Sequence, residues 1–275
     1  MKLYTGHRQL VRSGSMAVYA DVEYTLPVID IHKESKKSGS MEVSGNGMMM
    51  NLPGIGEGLT QVPLDFPRWL PFAAPKYQIS GDINDYIVVP VIAIPSDLPN
   101  RNRIAFPLKE LMSFNPELGM QTFETWKGKP TYREHKNDVL TEAYGVVADT
   151  SMRKLEGWSG NRVWKLLMLA TFDRSKYVEY VAEIMANRIN SYSMGAWVGG
   201  YECSVCNQEV GKCGHVSMKD QSNSFSEHDG KLGFKNCTNI QGFEISSVST
   251  PAWVTAISDS VMPFAMSDIG KDTPA

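Results

Sequence analysis

The stretch Tyr86-Ile87-Val88-Val89-Pro90-Val91-Ile92-Ala93-Ile94 carries no charge and is mostly β-branched. Alternation is absent, so both faces of this strand must be covered. A chain that contains it needs a sheet with a core on each side. With 275 residues, 42% of them apolar, there is enough material to build one.

Other segments extend the pattern. Ala143 to Ala148 reads as a short strand and Arg162 to Phe172 as a longer one, although its leucines also suit a helix. Asp173 and Ser175 then stand where a helix N-cap would. Tyr177, Val178, Val181, Ile184, Met185 and Ile189 recur at three- and four-residue steps, the mark of an amphipathic helix over 174–190. Ser191 to Gly199 leaves that helix as a strand, and Phe243 to Val248 is another, closed by Pro251. A short helix opens after Pro107, between Phe106 and Phe114. This order of strands, helix and strands predicts an α+β domain with an antiparallel or barrel-like sheet.

Residues 1–85 are read as an N-terminal extension or subdomain of unassigned role. Within it, 33–47 is Gly/Ser-rich and polar, as a flexible loop would be. Pro63, Pro67, Pro71 and Pro75 argue against a long helix there. Residues 86–258 form the main domain, and 259–275 is a polar, mobile tail.

Charge and hydropathy narrow the setting. A net charge of −3 gives no general pull toward nucleic acid or anionic membrane. No apolar run reaches the roughly 20 residues of a membrane span, and the N-terminus lacks the core of a signal peptide. A reducing cytoplasm is expected, where cysteines serve as thiols or metal ligands.

Three polar positions stand out. His135 lies in Glu134-His135-Lys136-Asn137-Asp138, just before a strand, and an imidazole at such a junction can act as general base near neutral pH. Ser193 lies in Ser193-Met194-Gly195, where a small residue lets a substrate backbone approach; the motif is not the G-x-S-x-G elbow. Glu244 lies in an apolar strand, either solvated on an outer face or held by a partner. Surface histidine and ordinary helix exit are the alternative readings of the first two.

Cys203-Ser204-Val205-Cys206 and Cys213-Gly214-His215 make C-x2-C-x6-C-x-H. Four soft donors in this spacing suit tetrahedral zinc with no open position, hence a structural ion. Gly211 and Gly214 supply the bends, His228 is a replacement ligand should His215 point away, and Cys237 is a plain thiol. The insertion spans 201–237.

Taken in order, H-K-N-D at 135–138, Gly145 in the next strand, the helix, S-M-G at 193–195 and E-I-S-S-V-S-T-P-A at 244–252 resemble the prohead (head maturation) proteases of tailed phages, relatives of the herpesvirus assemblins. The resemblance covers roughly 125–258. It implies a small β-barrel surrounded by helices, with Ser193 as nucleophile, His135 as base and Glu244 as the third member. It further implies scaffold or core proteins, capsid protein and the protease itself as substrates, a homo-oligomer, and a place inside the assembling prohead in the host cytoplasm. A non-enzymatic zinc-containing assembly module is the rival. A zinc hydrolase is disfavoured because H-E-x-x-H is absent.

Overall fold

The computed structural model describes residues 16–21, 24–25, 29–30, 48–50, 62–64, 66–100, 102–156, 162–186, 188–218 and 226–248. Seven main strands build one sheet: β1 (Met16–Asp21), β2 (Tyr86–Pro95), β3 (Pro130–Arg133), β4 (Gly145–Glu156), β5 (Arg162–Asp173), β6 (Tyr192–Val198) and β7 (Gln241–Ser247). Their spatial order is β1-β6-β7-β3-β4-β5-β2, with Tyr24–Thr25 and Ile29–Asp30 pairing on the outer edge of β2. All main pairs are antiparallel except β3 with β7.

The sheet curls into a half-barrel, and the chain itself ties its ends. Met16–Asp21 pairs with β6 at one end, and Tyr24–Thr25, only two residues later, pairs with β2 at the other.

Both faces of β2 are buried, as its unbroken apolar run requires. Ile87, Val89 and Val91 point into the barrel with Met168, Ala170, Phe172, Met194 and Ala196. Tyr86, Val88 and Ile92 point outward onto a second core with Val146, Ala148, Leu167 and Leu169. Pro90 is tolerated in this central strand because its outer neighbours contact residues 87–88 and 91–92 and skip it.

Helix α1 (Phe66–Tyr77) closes the outer core with Phe66, Trp69, Leu70, Ala73, Ala74 and Tyr77. Burying a side chain such as Phe66 or Leu70 stabilises by ~2 kcal/mol. The helix corrects the expectation drawn from the prolines. Pro67, Pro71 and Pro75 fall four residues apart on the exposed stripe, so the carbonyls they leave unbonded face water. Its end is a Schellman turn: Gln78 takes φ 51°, with Ile79 N–H donating to Ala74 O and Gln78 N–H to Pro75 O. Residues before 86 therefore contribute strands to the main sheet and a lid to its outer core.

Three further boundaries differ from expectation. The strand read as 143–148 runs from Gly145 to Glu156, because it forms a long hairpin with β5. Arg162–Asp173 is wholly strand. Asp173 does not cap the following helix; its Oδ1 accepts from the N–H groups of Ser175 and Lys176, and its Oδ2 from Ser80 N–H at 2.7 Å. That turn delays helix α2 to Val178–Met185. The helix after Pro107 is a single turn, Leu108–Leu111. Among the described residues no helix is long and apolar enough to cross a membrane.

Candidate active site and candidate metal centre

Strand β7 lies between β6 and β3, and its register composes the site. Ser193 stands opposite Ser246, which stands opposite Tyr132 on the other side. Cross-strand partners project to the same face. Tyr192, Met194, Ala196 and Ile245 fill the barrel, so alternation sends Ser193, Gly195, Glu244 and Ser246 to the outer face. Gly195 is opposite Glu244, and a Cβ there would lie 2.8 Å from Glu244 Cγ and 2.5 Å from Phe243 Cζ. The glycine of S-x-G thus clears room for a carboxylate. A β-bulge sits at this point: Gly195 pairs with Glu244 but Ala196 with Gly242, so Phe243 is the extra residue of the bulge.

His135 arrives from the end of β3. Glu134 N–H donates to Ser247 O at 2.8 Å, continuing the ladder by one bond. Glu134 and His135 then both adopt left-handed backbone, with φ 52° and 53°. Two such residues in succession cost ~1–2 kcal/mol each, so the surrounding structure holds this turn against its intrinsic preference. The turn returns the imidazole over β7. His135 Nδ1 lies 2.6 Å from Glu244 Oε1, and Ser246 Oγ donates to Glu244 Oε2 at 2.7 Å.

The environments of the partners differ. Glu244 is fully buried, whereas the His135 side chain is 27% exposed. A dry carboxylate with both oxygens engaged is a firm anchor for an imidazole at a cleft edge. Donation from Nδ1–H to that carboxylate makes Nε2 the ring's basic position. Glu244 is therefore not on a solvated face, and His135 is not a loose surface residue. Ser193, 2% exposed, sits one strand away from Ser246, a separation of ~4.8 Å between backbones.

Three residues near the site carry roles not assigned from sequence. Ser246 fixes the second oxygen of Glu244, and i, i+2 alternation with Glu244 was the available signal. Trp126 donates from Nε1 to Gly195 O at 3.0 Å, and Gly242 makes room for it: a Cβ there would meet Trp126 Cδ2 at 2.1 Å. Tyr132 has a buried hydroxyl without an acceptor among the described residues, and burial, then Tyr77 and Glu244, pushes its phenol upward.

The Cys/His insertion forms a separate cluster. One ligand atom from each of Cys203, Cys206, Cys213 and His215 lies within 4.8 Å of the others, and Cys203 Sγ is 3.9 Å from His215 Nδ1. The cluster can hold a metal ion. Gln208 N–H donates to Cys206 sulfur, but desolvation and the neighbouring Cys213 and Cys203 thiols outweigh it and raise that thiol, whereas His215 N–H donates to Cys213 sulfur and holds that thiol below its ordinary value. Asn207 turns the first knuckle with φ 57°, and Gly211 the next with φ 101°. Gly200–Cys203 pairs with Lys235–Thr238, anchoring the loop to the main body. His215 points into the cluster, so His228 does not replace it. His228 Nε2 donates to His215 O at 3.0 Å instead. Cys237 is buried, and burial pushes its thiol well upward.

No family model matches this chain, and no curated protein matches it. Among solved structures it is similar to the capsid assembly protease of bacteriophage T4, with 12% identity and a TM-score of 0.37 over 86% of this chain and 99% of that one. At that level the likeness says nothing about chemistry, which rests on the residues above.

Proposed function

We propose that this chain is a serine endopeptidase of the prohead maturation type, with Ser193 as nucleophile, His135 as general base and Glu244 as the carboxylate that orients it. The observation that carries this reading is the His135–Glu244 bond: a fully buried carboxylate 2.6 Å from an imidazole, on the strand that neighbours Ser193. Few structural roles call for a buried glutamate bonded to a part-exposed histidine; a base awaiting a proton does.

In the proposed reaction, His135 Nε2 takes the Ser193 proton as Oγ attacks a peptide carbonyl. The resulting imidazolium is stabilised by Glu244, and its proton passes to the leaving amine. Water then attacks the acyl-enzyme, giving its proton to His135 and releasing Ser193. Backbone N–H groups near Gly195 are the proposed oxyanion donors. The sequence resemblance supplies the biological frame: scaffold or core proteins, capsid protein and the chain itself as substrates, self-association as the activity switch, and the interior of an assembling head in the host cytoplasm as the place.

The Cys203, Cys206, Cys213 and His215 cluster is proposed to hold structural zinc. Three thiolates and an imidazole suit that ion, and bound zinc would cross-link a loop with little core of its own. The catalytic residues belong to other strands, so the proposed chemistry does not run through the metal.

The deciding experiment is co-expression of wild-type chain or Ser193→Ala with the scaffold and capsid proteins of the same phage. Wild type should trim them and itself, while the variant should lose roughly six orders of magnitude in rate with an unchanged thermal melt. Equal cleavage by the variant removes the proposal. The rival, a non-enzymatic assembly module, predicts no cleavage by either.

A further inference from the structure

We infer that the pocket beside Trp197 is a substrate subsite that receives a lysine or arginine side chain about four residues from the bond to be cut. This rests on the serine-protease reading and adds to it what the enzyme recognises.

The position follows from strand geometry. Trp197 is on β6 with Ser193 and Gly195, alternating to the same face. Four residues of extended chain rise ~13 Å, the span of a peptide reaching from the reacting carbonyl to the indole. Between the two, the Phe243 ring lies over Gly195 and against Trp197, with ring centroids 5.0 Å apart. The bulge at residue 243 thus supplies an apolar floor between nucleophile and pocket.

The chemistry follows from the lining. A cavity of about 130 Å³ is bordered by Trp197, Glu110, Glu117, Phe114, Asn239 and Gln241 among others, with two carboxylates and, among the described residues, no lysine, arginine or histidine. Glu110 is held in place by Asn239 N–H, which donates to its Oε2 at 2.9 Å. The adjacent cation, Lys109, is directed to Glu202 at 3.1 Å. The Trp197 indole N–H is buried and has no acceptor among the described residues. Leaving such a donor unmatched is unfavourable, and a substrate carbonyl would relieve it. Phe114, 64% exposed, offers a ring for a cationic stem or guanidinium. A peptide with a basic side chain offers the indole donor a carbonyl and brings a cation to the carboxylates and the ring together. An acidic side chain meets two like charges.

The test uses the full-length protein with ¹⁵N-labelled indoles, the Trp197 signal being assigned by Trp197→Phe. N-acetyl-arginine methylamide should shift that signal, and N-acetyl-glutamate methylamide should not. In Glu110→Gln/Glu117→Gln the arginine compound should bind roughly tenfold more weakly, the size of one lost charge-assisted contact. No shift with the arginine compound, an equal shift with the glutamate compound, or undiminished binding by the double variant overturns the inference. A peptide-library digest separates the two levels. Cleavage enriched for Lys or Arg at one fixed position, with that preference lost in the double variant, supports the subsite. Cleavage indifferent to basic residues sinks the subsite alone, whereas no cleavage of any peptide sinks the protease reading beneath it.

Discussion

The barrel site and the Cys/His knuckle solve the problem of assembling reactive groups in opposite ways. The knuckle draws its donors from 203–215, one loop with two left-handed turns. The barrel site joins His135 to Glu244 across a separation of 109 residues, and Ser193 comes from a third strand. In the knuckle the chain folds around a ligand set. In the barrel the ligand set exists only once three strands are in register. The contrast teaches that the knuckle should fail locally and the barrel site globally.

The sharpest test of that contrast is Glu244→Gln. It keeps the volume of a buried side chain but offers His135 an amide in place of a carboxylate. Cleavage should fall by roughly three to four orders of magnitude at neutral pH, as expected when a base loses its orienting charge. A variant that retained most activity would show that the His135–Glu244 bond is structural.

Cys213→Ser should act on the other region. Under the structural-zinc proposal, zinc content should drop from one equivalent per chain, and the melting temperature should fall by roughly 5 °C or more, given the share a structural metal takes in folding energy. The residual rate per folded molecule should match wild type. Loss of turnover with an unchanged melt would break the separation between the two regions.

The difference also explains what was legible in advance. The knuckle could be read because C-x2-C and C-x-H place ligands by local geometry alone. His135, Ser193 and Glu244 stand out through a motif order, yet the His135–Glu244 bond and the place of Ser193 on the neighbouring strand depend on register across β6, β7 and β3, which no local pattern encodes. The burial of Glu244 was open for the same reason: alternation says that Glu244 and Ser246 share a face, not which face. Ser246 is legible only as the i, i+2 neighbour of Glu244, which names a shared face and not a bond, and Trp126 ends a short 3-10 helix, Thr122–Trp126, too brief for any periodic signal. The continuous run in β2 did announce a core on both sides, since burial is its only stable state. Helix α1 was missed because prolines were weighed by number rather than by their common stripe.

Smaller effects probe how tightly the barrel side is packed. Gly242→Ala forces a methyl group against the Trp126 ring and should cost about 1–3 kcal/mol, measurable by chemical denaturation and unaffected by chelator. A change within 0.5 kcal/mol of zero, estimated as the range of ordinary surface changes, would mean that this wall yields.

Lys129 gives the mildest prediction. Desolvation, then the charge of Lys76, lowers its pKa from 10.5 to about 8. The unfolded chain therefore holds a proton that the folded chain has shed between about pH 8 and 10.5, so stability should rise with pH across that window. Below it, the buried charge is a standing cost. Lys129→Met should remove the slope and raise stability at pH 7 by about 1–2 kcal/mol. A wild-type stability that stays flat from pH 8 to 10 would refute the assignment.

The placement of β7 has a consequence for timing during synthesis. Among the described strands of the sheet it is the last to leave the ribosome, and it spaces the strand of Ser193 from the strand that leads to His135. A nascent chain that stops short of residue 241 lacks Glu244 and the partner that aligns the other two. Under the proposed mechanism, a molecule made only as far as residue 240 can carry nucleophile and base yet attack neither itself nor its neighbours, and destructive capacity switches on only once β7 has been made.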